Sequence, residues 1–521
     1  MIKPSSLLFL MVILITSGSL GAQANFSKTY LAPGLDWSIT SNLKPYQNGF
    51  LLTLEEYSPV GVDHTFLRHL KIDGFGNILE DRAIGEFDFH LFTTEQNVTS
   101  IESNFIHTLV IPKKTNQPQS FGLLSLDLTT DTVTLKEYTH TSTLAGYALA
   151  KGQGDTLIMF ADEVNGDDTS KWVASLTFYD TGTGVDTTIS YVGSYGRPQP
   201  GEIKTLPNGD ILMAFGARDY SSPPPGATSE ERGILQKINA NGRLLWTKAI
   251  YPGETFDFKP TILPLANGDI AYGWTKDSFS SSRPPRYYTQ NPVAIFILDS
   301  MGEFKSRTML GPIYGQLNNL ERLPNGDILG MGWKGMVVEG LAGRTGWVFR
   351  LRPDGELLWE RRIAYPNITT QPYLEFYDAV ETPNGDLLLA GVRDLDEDKF
   401  GSWLVKLGAD GCYDPAVCGG IQDTIFIYEE VVATSSLEEA EADLEIFPNP
   451  NNGTFTVRLP AAYGLQDNNI LRVYDLRGRE VYRQKITGTT YSVPATGLVA
   501  GVYWVRVETP AGVVRGKVVV E

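Results

Sequence analysis

The sequence predicts an all-β protein, a β-propeller of about seven four-stranded blades followed by a small C-terminal β-sandwich. A phrase built on Asn-Gly-Asp recurs four times, with its glycines at Gly209, Gly268, Gly326 and Gly385, spaced 59, 58 and 59 residues apart. Self-similarity at a fixed period is typical of repeat architectures. Apolar runs on both sides of each Asn-Gly are typical of β-hairpins. Together these two observations predict a ring of similar antiparallel units.

Each repeated phrase is interpreted as a strand, a two-residue turn with positive φ at both Asn and Gly, and a second strand. A second hairpin follows within residues 233–250, 294–310 and 348–363. Four antiparallel strands per repeat, arranged around an axis, describe a propeller blade. Weaker copies within residues 46–192 bring the count to seven blades, with six or eight as alternatives.

The two ends of the propeller sequence predict how the ring closes. The last repeat reaches Cys412 after only three strands. The segment Phe26–Pro33 resembles Trp359–Pro366, the fourth strand of the preceding repeat, in its aromatic start and its proline seven residues on. We therefore expect the N-terminal strand to complete the last blade, which leaves no open edge between first and last blades. An unrelated N-terminal strand is the alternative.

The N-terminus predicts export. Residues 1–24 contain a lysine, the apolar run Leu7–Ile15 and small residues before Asn25, as in a signal peptide, with an uncleaved anchor as the alternative. No transmembrane segment is expected after its removal. The chain has two cysteines, Cys412 and Cys418, which in an exported protein are expected to form a disulfide.

Composition and missing motifs exclude several function classes. The formal net charge is −18, and the sequence contains no basic cluster, so a nucleic-acid partner is not expected. No Walker loop, G-x-S-x-G motif or cysteine nucleophile occurs. The histidines lack metal-binding spacing and are interpreted as surface or packing residues: His64, His69, His90, His107 and His140.

The long connections of the propeller are the expected place for function. Loops between the second and third strands of a blade share one face with the connections between blades, and functional residues concentrate on such loops. Three of these loops carry a basic–acidic pair that could surround the mouth of the central channel: Arg218 with Asp219, Lys276 with Asp277, and Arg393 with Asp394. Salt bridges or loop caps between blades are the alternative.

One of these loops also indicates calcium, the only cofactor that the sequence suggests. Asp394, Asp396 and Asp398 stand at alternate positions, a spacing that can wrap oxygen ligands around a hard cation. The full twelve-residue calcium loop is absent, so a solvated acidic loop is the alternative.

The C-terminal region predicts a separate domain. We expect the propeller in residues 25–418 and, because residues 419–443 are acidic and lack repeat signals, a linker there. Residues 444–521 contain short alternating strands, typical of a small sandwich. They resemble the type A C-terminal sorting domain of type IX secretion cargo from Bacteroidetes in four elements: "FPNP" from Phe447, "DLRGR" from Asp475, "LVAGVYWVRV" from Leu498, and the terminal "GKVVVE".

The resemblance implies a route rather than an activity. It implies Sec export to the periplasm and then outer-membrane passage by the type IX secretion machinery, which would interact with residues 444–521. The domain would be removed and the cargo released or attached to a surface lipopolysaccharide. An ordinary sandwich that binds carbohydrate is the alternative reading of the residues alone.

The preferred function is a secreted or cell-surface propeller for binding or adhesion, with a glycan or protein as ligand. An extracellular hydrolase or lyase acting on polysaccharide or peptide at the channel mouth is one alternative, and a structural envelope component is another. An enzyme should bring two carboxylates, or a histidine and a carboxylate, together in a pocket on the long-loop face. A binder should present a shallow aromatic surface there.

Overall fold

The computed structural model describes two compact units, which lie within residues 24–434 and 435–521. The backbone is described for residues 25–31, 37–57, 65–87, 89–91, 99–102, 105–112, 121–130, 132–138, 145–164, 172–191, 198–219, 230–250, 260–275, 293–311, 315–338, 341–365, 373–396, 399–414, 418, 420–427, 444–459, 469–474, 480–494, 497–509 and 512–520. These ranges contain strands and turns and no helix, so the predicted all-β fold is confirmed. The predicted signal peptide lies outside them.

The first unit is a propeller of seven blades, as predicted. Its first three blades contain β2 (Trp37–Tyr46), β3 (Gly49–Tyr57), β4 (Thr65–Ile72) and β5 (Ile78–Phe87); β6 (Phe89–Leu91), β7 (Thr99–Glu102), β8 (Phe105–Pro112), β9 (Phe121–Asp127) and β10 (Thr132–Tyr138); and β11 (Ala145–Lys151), β12 (Thr156–Val164), β13 (Trp172–Asp180) and β14 (Asp186–Tyr191). In the irregular second blade, both β6 and β7 pair with β8.

The fourth to seventh blades follow the repeated phrase. They contain β15 (Pro198–Thr205), β16 (Ile211–Asp219), β17 (Glu230–Ile238) and β18 (Leu244–Ile250); β19 (Thr261–Pro264), β20 (Ile270–Thr275), β21 (Val293–Leu298) and β22 (Phe304–Leu310); β23 (Gly315–Arg322), β24 (Ile328–Val338), β25 (Leu341–Leu351) and β26 (Leu357–Ala364); and β27 (Leu374–Glu381), β28 (Leu387–Asp396), β29 (Lys399–Leu407) and β1 (Phe26–Tyr30). First strands of consecutive blades are neighbours, so these inner strands surround the axis.

The N-terminal strand β1 belongs to blade 7. It pairs antiparallel with β29, from Phe26 opposite Lys406 to Tyr30 opposite Ser402. Its side chains bind to blade 7, of which it is a part, and to blade 1. The Trp403 indole of blade 7 donates to Ser27 Oγ at 2.9 Å, and Tyr30 Oη donates to the carbonyl of Gly76 in blade 1 at 2.5 Å. We propose that β1 closes the ring.

The repeated turn differs from the predicted two-residue type. Gly209 has φ 86°, whereas no positive φ occurs at the asparagine before it. The Gly209 amide donates to the Leu206 carbonyl at 2.8 Å, and Leu206 N donates to Asp210 O at 2.7 Å, which makes a type I turn followed by one left-handed glycine. The fixed negative φ of Pro207 suits the second position of a type I turn, and the same hydrogen bonds form in the next repeat, where Ala266 takes that position.

The apolar core lies between adjacent blades. Between blades 6 and 7 it includes the stacked rings of Phe376 and Trp403, whose centroids are 4.6 Å apart, and Val348. Full burial of each such side chain contributes roughly 1.5–3 kcal/mol. Alternating buried residues on neighbouring blades therefore hold the ring together, as in other repeat structures.

The prediction of a linker at residues 419–443 is wrong for residues 422–426. Residues Gln422–Phe426 form a strand, β30, which pairs parallel with β26 at the outer edge of blade 6. Ile425 and Ile427 are buried against that blade, so the alternation in this segment marks a strand and not a spacer. A disulfide joins Cys412 and Cys418 just before it. Residues 428–443 lie outside the described ranges.

The second unit consists of two antiparallel sheets, consistent with a small sandwich. The first sheet contains β31 (Glu445–Phe447), β32 (Thr454–Arg458) and β35 (Thr490–Pro494). The second has the order β34 (Glu480–Ile486), β33 (Asn469–Tyr474), β36 (Gly501–Thr509) and β37 (Gly512–Val520). Phe455, Val473, Val505 and Val518 are fully buried between them.

Candidate functional site

The predicted ligand-face residues are only partly within the described structure. Arg218 and Asp219 end β16, but their side chains lie outside the description, as do Lys276 and Asp277 entirely. Arg393 is described: its guanidinium lies 4.2 Å from the Tyr365 ring centroid, and its Nε donates to the Asp394 carbonyl at 3.0 Å. A ligand role for these three pairs stays a prediction.

The predicted calcium site also stays a prediction. Asp394 Oδ1 accepts a hydrogen bond from the Tyr373 amide at 3.0 Å, so this carboxylate fixes the start of β27. The Asp396 side chain and the whole of Asp398 lie outside the described ranges. Within those ranges, no group of three histidine, cysteine or acidic side chains is arranged to hold a metal ion.

Two described histidines pack inside their blades, in line with the packing interpretation. His69 Nδ1 lies 3.1 Å from Thr53 Oγ1, and His107 Nδ1 lies 2.7 Å from Ser125 Oγ. Burial lowers the pKa of His69 to about 3 and that of His107 to about 4. Both imidazoles are therefore neutral near pH 7.

Sequence reasoning missed a cluster of aromatic and charged side chains at the long-loop face of blades 6, 7 and 1. Its centre is Arg344, near the start of β25. The guanidinium lies 4.2 Å from the Trp333 ring centroid and 4.5 Å from that of Tyr373. Its Nη1 donates to Tyr373 Oη and to Glu375 Oε2, both at 2.9 Å. About 30% of the Arg344 side chain stays exposed, whereas Glu375 is buried.

The aromatic side of this cluster continues to the surface. The rings of Tyr373 and Phe400 meet edge to face at 5.2 Å, and those of Phe400 and Trp37 meet in the same way at 5.0 Å. Trp37 starts the inner strand of blade 1 and is 42% exposed. We call Trp37, Trp333, Arg344, Tyr373, Glu375 and Phe400 the mouth cluster, because they lie where the strands meet the long connections.

Electrostatics keep the tyrosines of the mouth cluster neutral. Burial and the Glu375 charge raise the pKa of Tyr373 above its usual value, and they raise the pKa of its neighbour Tyr377 as well. Asn318 Nδ2 donates to Glu375 Oε1 at 2.8 Å, so both oxygens of this carboxylate have donors. The cluster is therefore preorganised, with one guanidinium and aromatic rings facing solvent.

A second charged cluster crosses the central channel on the inner strands. Lys44 Nζ of blade 1 lies 3.2 Å from Asp378 Oδ2 of blade 7 and 3.4 Å from Glu321 Oε1 of blade 6. On blade 4, Lys204 Nζ lies 2.7 Å from Glu202 Oε1. We call these five residues, together with Asn319, the channel network.

The carboxylates of the channel network also connect neighbouring blades through backbone amides. Asp378 Oδ2 accepts from Leu43 N at 2.8 Å, and Glu202 Oε2 accepts from Ile262 N at 2.7 Å. Asn319 Nδ2 donates to Asp378 Oδ1 at 3.2 Å. Asp378 and Glu202 thus each join the inner strand of one blade to that of the next.

A sequence signal for this network was present but unused. Five inner strands carry a buried polar residue seven positions before the turn glycine: Asn42, Glu202, Thr261, Asn319 and Asp378. In all five blades the residue sits beside a β-bulge or at the strand start. A bulge turns a side chain away from the regular alternation, which places these groups between inner strands.

Burial and the neighbouring charges shift the pKa values of the network's carboxyl groups in opposite directions. Burial raises the pKa of Glu202, against the attraction of Lys204, and burial likewise raises the pKa of Asp378. Burial alone would also raise the pKa of Glu321, but the charges of Lys44 and Lys204 outweigh it and leave that pKa below its usual value. Glu321 therefore stays ionised to a lower pH than an ordinary glutamate does.

The C-terminal unit matches a known family. Residues 445–521 match the family described as the secretion system C-terminal sorting domain. No curated protein matches the chain. The described part of the chain contains no apolar helix long enough to cross a membrane.

Several solved structures are similar to the chain at low identity. PorZ of Porphyromonas gingivalis, a surface component of the type IX secretion system, is 12% identical, covering 92% of this chain and 75% of its own, with a TM-score of 0.28. The β-propeller domain of the Trilobed protease from Pyrococcus furiosus is 9% identical, covering 70% and 95%, with a TM-score of 0.39. An α-L-arabinanase of Penicillium chrysogenum is 14% identical, covering 73% and 97%, with a TM-score of 0.36.

With such TM-scores, none of these likenesses bears on what the propeller does. The family match to the C-terminal unit does bear on its role, since a sorting domain directs export to the cell surface or into the medium. The sequence resemblance and the family match agree on this domain. The β-propeller is therefore followed by a C-terminal domain that marks a type IX secretion sorting signal.

Proposed function

We propose that the propeller is an extracellular binding protein that holds a glycan at the mouth cluster. The observation that carries this proposal is a continuous path of aromatic rings that ends at the partly exposed guanidinium of Arg344. The path begins at exposed Trp37 and passes through Phe400 and Tyr373. Binding sites combine aromatic surface with a few fixed polar groups. A sugar ring offers an apolar C–H face to an aromatic ring and hydroxyl groups to a guanidinium.

The geometry favours binding over catalysis at this face. In the described part of the mouth cluster, Glu375 is the single carboxylate, and both of its oxygens are engaged by Arg344 and Asn318. A buried and fully paired carboxylate is a poor proton acceptor. The mouth cluster therefore has the aromatic character expected of a binder, while its own carboxylate is engaged in hydrogen bonds to neighbouring side chains.

A glycan and peptide array with the exported protein tests this function. We expect glycan ligands to be retained, and Trp37→Ala to weaken their binding at least tenfold. The matched control is Phe304→Ala, since Phe304 is a 62% exposed aromatic residue on the outer strand of blade 5. Equal binding by wild type and Trp37→Ala would remove the mouth cluster as the site. Retention of peptides alone would replace the glycan by a protein ligand.

A hydrolase or lyase is the second candidate, and the channel network favours it. Glu321 and Asp378 both lie within 3.4 Å of Lys44 Nζ, and their pKa values are shifted in opposite directions, as in acid–base pairs of enzymes. Polysaccharide cleavage that disappears in Glu321→Gln and persists in Trp37→Ala would support it. No cleavage and no retained ligand on any array would leave a structural envelope role.

A further inference from the structure

Two turns of blade 4 have the same backbone geometry but different side-chain contacts. The first turn joins β15 to β16 around Asn208-Gly209, and the second joins β17 to β18 around Asn241-Gly242. In each turn the glycine amide donates at 2.8 Å to the carbonyl of the residue three positions before it. The φ angles of the two glycines are 86° and 81°. Both asparagines are exposed, so neither the backbone nor solvent access distinguishes the two turns.

The Asn208 side chain is fixed at both of its polar atoms. Its Nδ2 donates to Asp210 Oδ2 at 2.8 Å, and its Oδ1 accepts from the Asp210 amide at 3.1 Å. The same two hydrogen bonds recur in the next two repeats, from Asn267 to Asp269 and from Asn325 to Asp327. In these three repeats, the aspartate after the Asn-Gly pair therefore holds the asparagine in place.

The Asn241 side chain lacks this support. The residue after Gly242 is Arg243, which offers no carboxylate, and the Arg243 amide donates instead to Asn239 Oδ1 at 2.9 Å. Among the residues that the structure describes, none makes a hydrogen bond to the Asn241 side chain. This side chain can therefore rotate toward its own backbone, whereas that of Asn208 is held away from it.

We propose that Asn241 is a site of spontaneous deamidation and that Asn208 resists the same reaction. In this reaction the Gly242 nitrogen loses its proton to base and attacks Asn241 Cγ. The new C–N bond closes a succinimide ring, and Nδ2 takes up a proton and leaves as ammonia. Water then opens the ring at either carbonyl, which gives aspartate or isoaspartate. One water is consumed and one ammonia is released, with no oxidation or reduction.

The contacts of the asparagine side chain decide which of the two turns reacts. Glycine has no Cβ to hinder the approach, and it follows the asparagine in both turns. Both glycine amides must also leave the same backbone hydrogen bond. Asn208 must in addition break two hydrogen bonds to Asp210, one of them to a charged oxygen, before its Cγ reaches the glycine nitrogen. The reaction is therefore slower at Asn208.

Deamidation of Asn241 would weaken a contact between blades 3 and 4. The Gly242 carbonyl accepts a hydrogen bond from Tyr191 Oη of β14 at 2.8 Å. Gly242 is buried, and a Cβ on it would lie 2.1 Å from Ile189 Cδ1 of the same strand. Isoaspartate lengthens the main chain by one carbon immediately before this glycine. We therefore expect protein with isoaspartate at position 241 to melt at a lower temperature than fresh protein.

The test is incubation of the purified full chain in mildly alkaline buffer, well below its melting temperature, followed by peptide mass spectrometry over time. We expect Asn241 to convert at least ten times faster than Asn208. Equal rates, or faster conversion of Asn208, would overturn the proposal. Because both residues are compared within one folded protein, this result needs no variant.

Two variants test the cause of the difference. Asp210→Ala releases the Asn208 side chain and should raise its conversion rate at least tenfold, with the Asn241 rate unchanged. Arg243→Asp supplies a carboxylate after Gly242 and should slow conversion of Asn241. Asp210 also pairs with Lys237 at 3.4 Å, so if Asp210→Ala fails to fold, Arg243→Asp decides. An unchanged rate at the targeted asparagine in either folded variant would contradict the proposal.

Discussion

The channel network and the mouth cluster combine similar residue types but use them differently. In the channel, Asp378 and Glu202 each accept a backbone amide of the next blade in addition to a lysine. At the mouth, the Arg344 guanidinium donates to the side chains of Tyr373 and Glu375, and about 30% of the Arg344 side chain stays exposed. Charged groups that bond to neighbouring backbones stabilise the ring. Charged groups that leave donors toward solvent are available to a ligand.

The comparison teaches that paired charges in a propeller need not mark an active site. The channel network brings more carboxylates together than the mouth cluster, yet its members are tied to the repeat itself. They recur at two positions of the blade: Glu202, Asn319 and Asp378 stand seven residues before the turn glycine, and Lys44, Lys204 and Glu321 stand five residues before it. In the mouth cluster only Trp37 and Tyr373 share a spacing, twelve residues before a turn glycine, and the cluster lies at the variable connections. Substitutions in the channel network should therefore lower stability more than ligand binding. Substitutions in the mouth cluster should lower ligand binding more than stability.

Removal of β1 should have the largest effect on stability. Deleting residues 26–33 opens blade 7 and removes the contacts of Ser27 with Trp403 and of Tyr30 with blade 1. We expect a sharp fall in melting temperature, measured by calorimetry, because an exposed strand edge and a lost interblade contact weaken the whole ring. An unchanged melting temperature would refute ring closure by β1.

Loss of Asp378 should have the next largest effect. Asp378→Ala leaves Lys44 and the Leu43 amide without this partner. Breaking a buried pair in this way costs about 3–5 kcal/mol, measured as the free energy of unfolding in urea. Ligand binding at the mouth should persist below the melting temperature. A loss of ligand binding in the folded variant would show that the channel network and the mouth cluster act as one site.

The pH dependence of stability should distinguish two members of the channel network. Because the folded-state pKa of Glu202 is raised, it contributes stability below its ordinary pKa of 4.5 that is lost as pH rises through the raised value. Glu202→Gln should therefore flatten the fall in melting temperature toward neutral pH. Glu321, with its lowered pKa, has the opposite sign, and Glu321→Gln should lower stability at neutral pH. Parallel profiles for both variants would contradict these shifts.

The smallest effect is expected from the acidic loop after β28. Changing Asp394, Asp396 and Asp398 to Asn should barely alter the melting temperature in metal-free buffer. If the loop binds calcium, millimolar calcium should raise the melting temperature of the wild type alone, because a ligand of the folded state stabilises it. Equal responses of wild type and triple variant would eliminate the calcium site.

The repeated phrase predicted the fold because a hairpin is a local structure. Asn-Gly-Asp between apolar runs, together with weaker copies upstream, was enough to predict four-stranded blades and their number, and alternating strands predicted the sandwich that follows. The turn type was wrong because Asn-Gly also fits a type I turn followed by one left-handed glycine, and residues 422–426 were missed because a single added strand has no repeat partner in the sequence.

The mouth cluster could not be predicted in the same way. Trp37, Arg344, Tyr373 and Phe400 belong to three blades and are far apart in the chain. Only the ring brings them together, and none carries a motif. The channel network could have been predicted in part, because its polar residues recur at fixed distances from the turn glycine. The pairing of these residues could not have been predicted, because their partners lie on other blades.

The most direct test of the account is the shift in melting temperature caused by the glycan that the array identifies. It should be measured in parallel for wild type, Trp37→Ala and Asp378→Asn. The account predicts that Trp37→Ala lowers the unliganded melting temperature less than Asp378→Asn does, since Trp37 is 42% exposed and Asp378 is buried, and that it loses the glycan-induced shift. Asp378→Asn should start at a lower melting temperature and keep that shift. A shift that survives in Trp37→Ala and disappears in Asp378→Asn would contradict the account and move ligand binding into the channel.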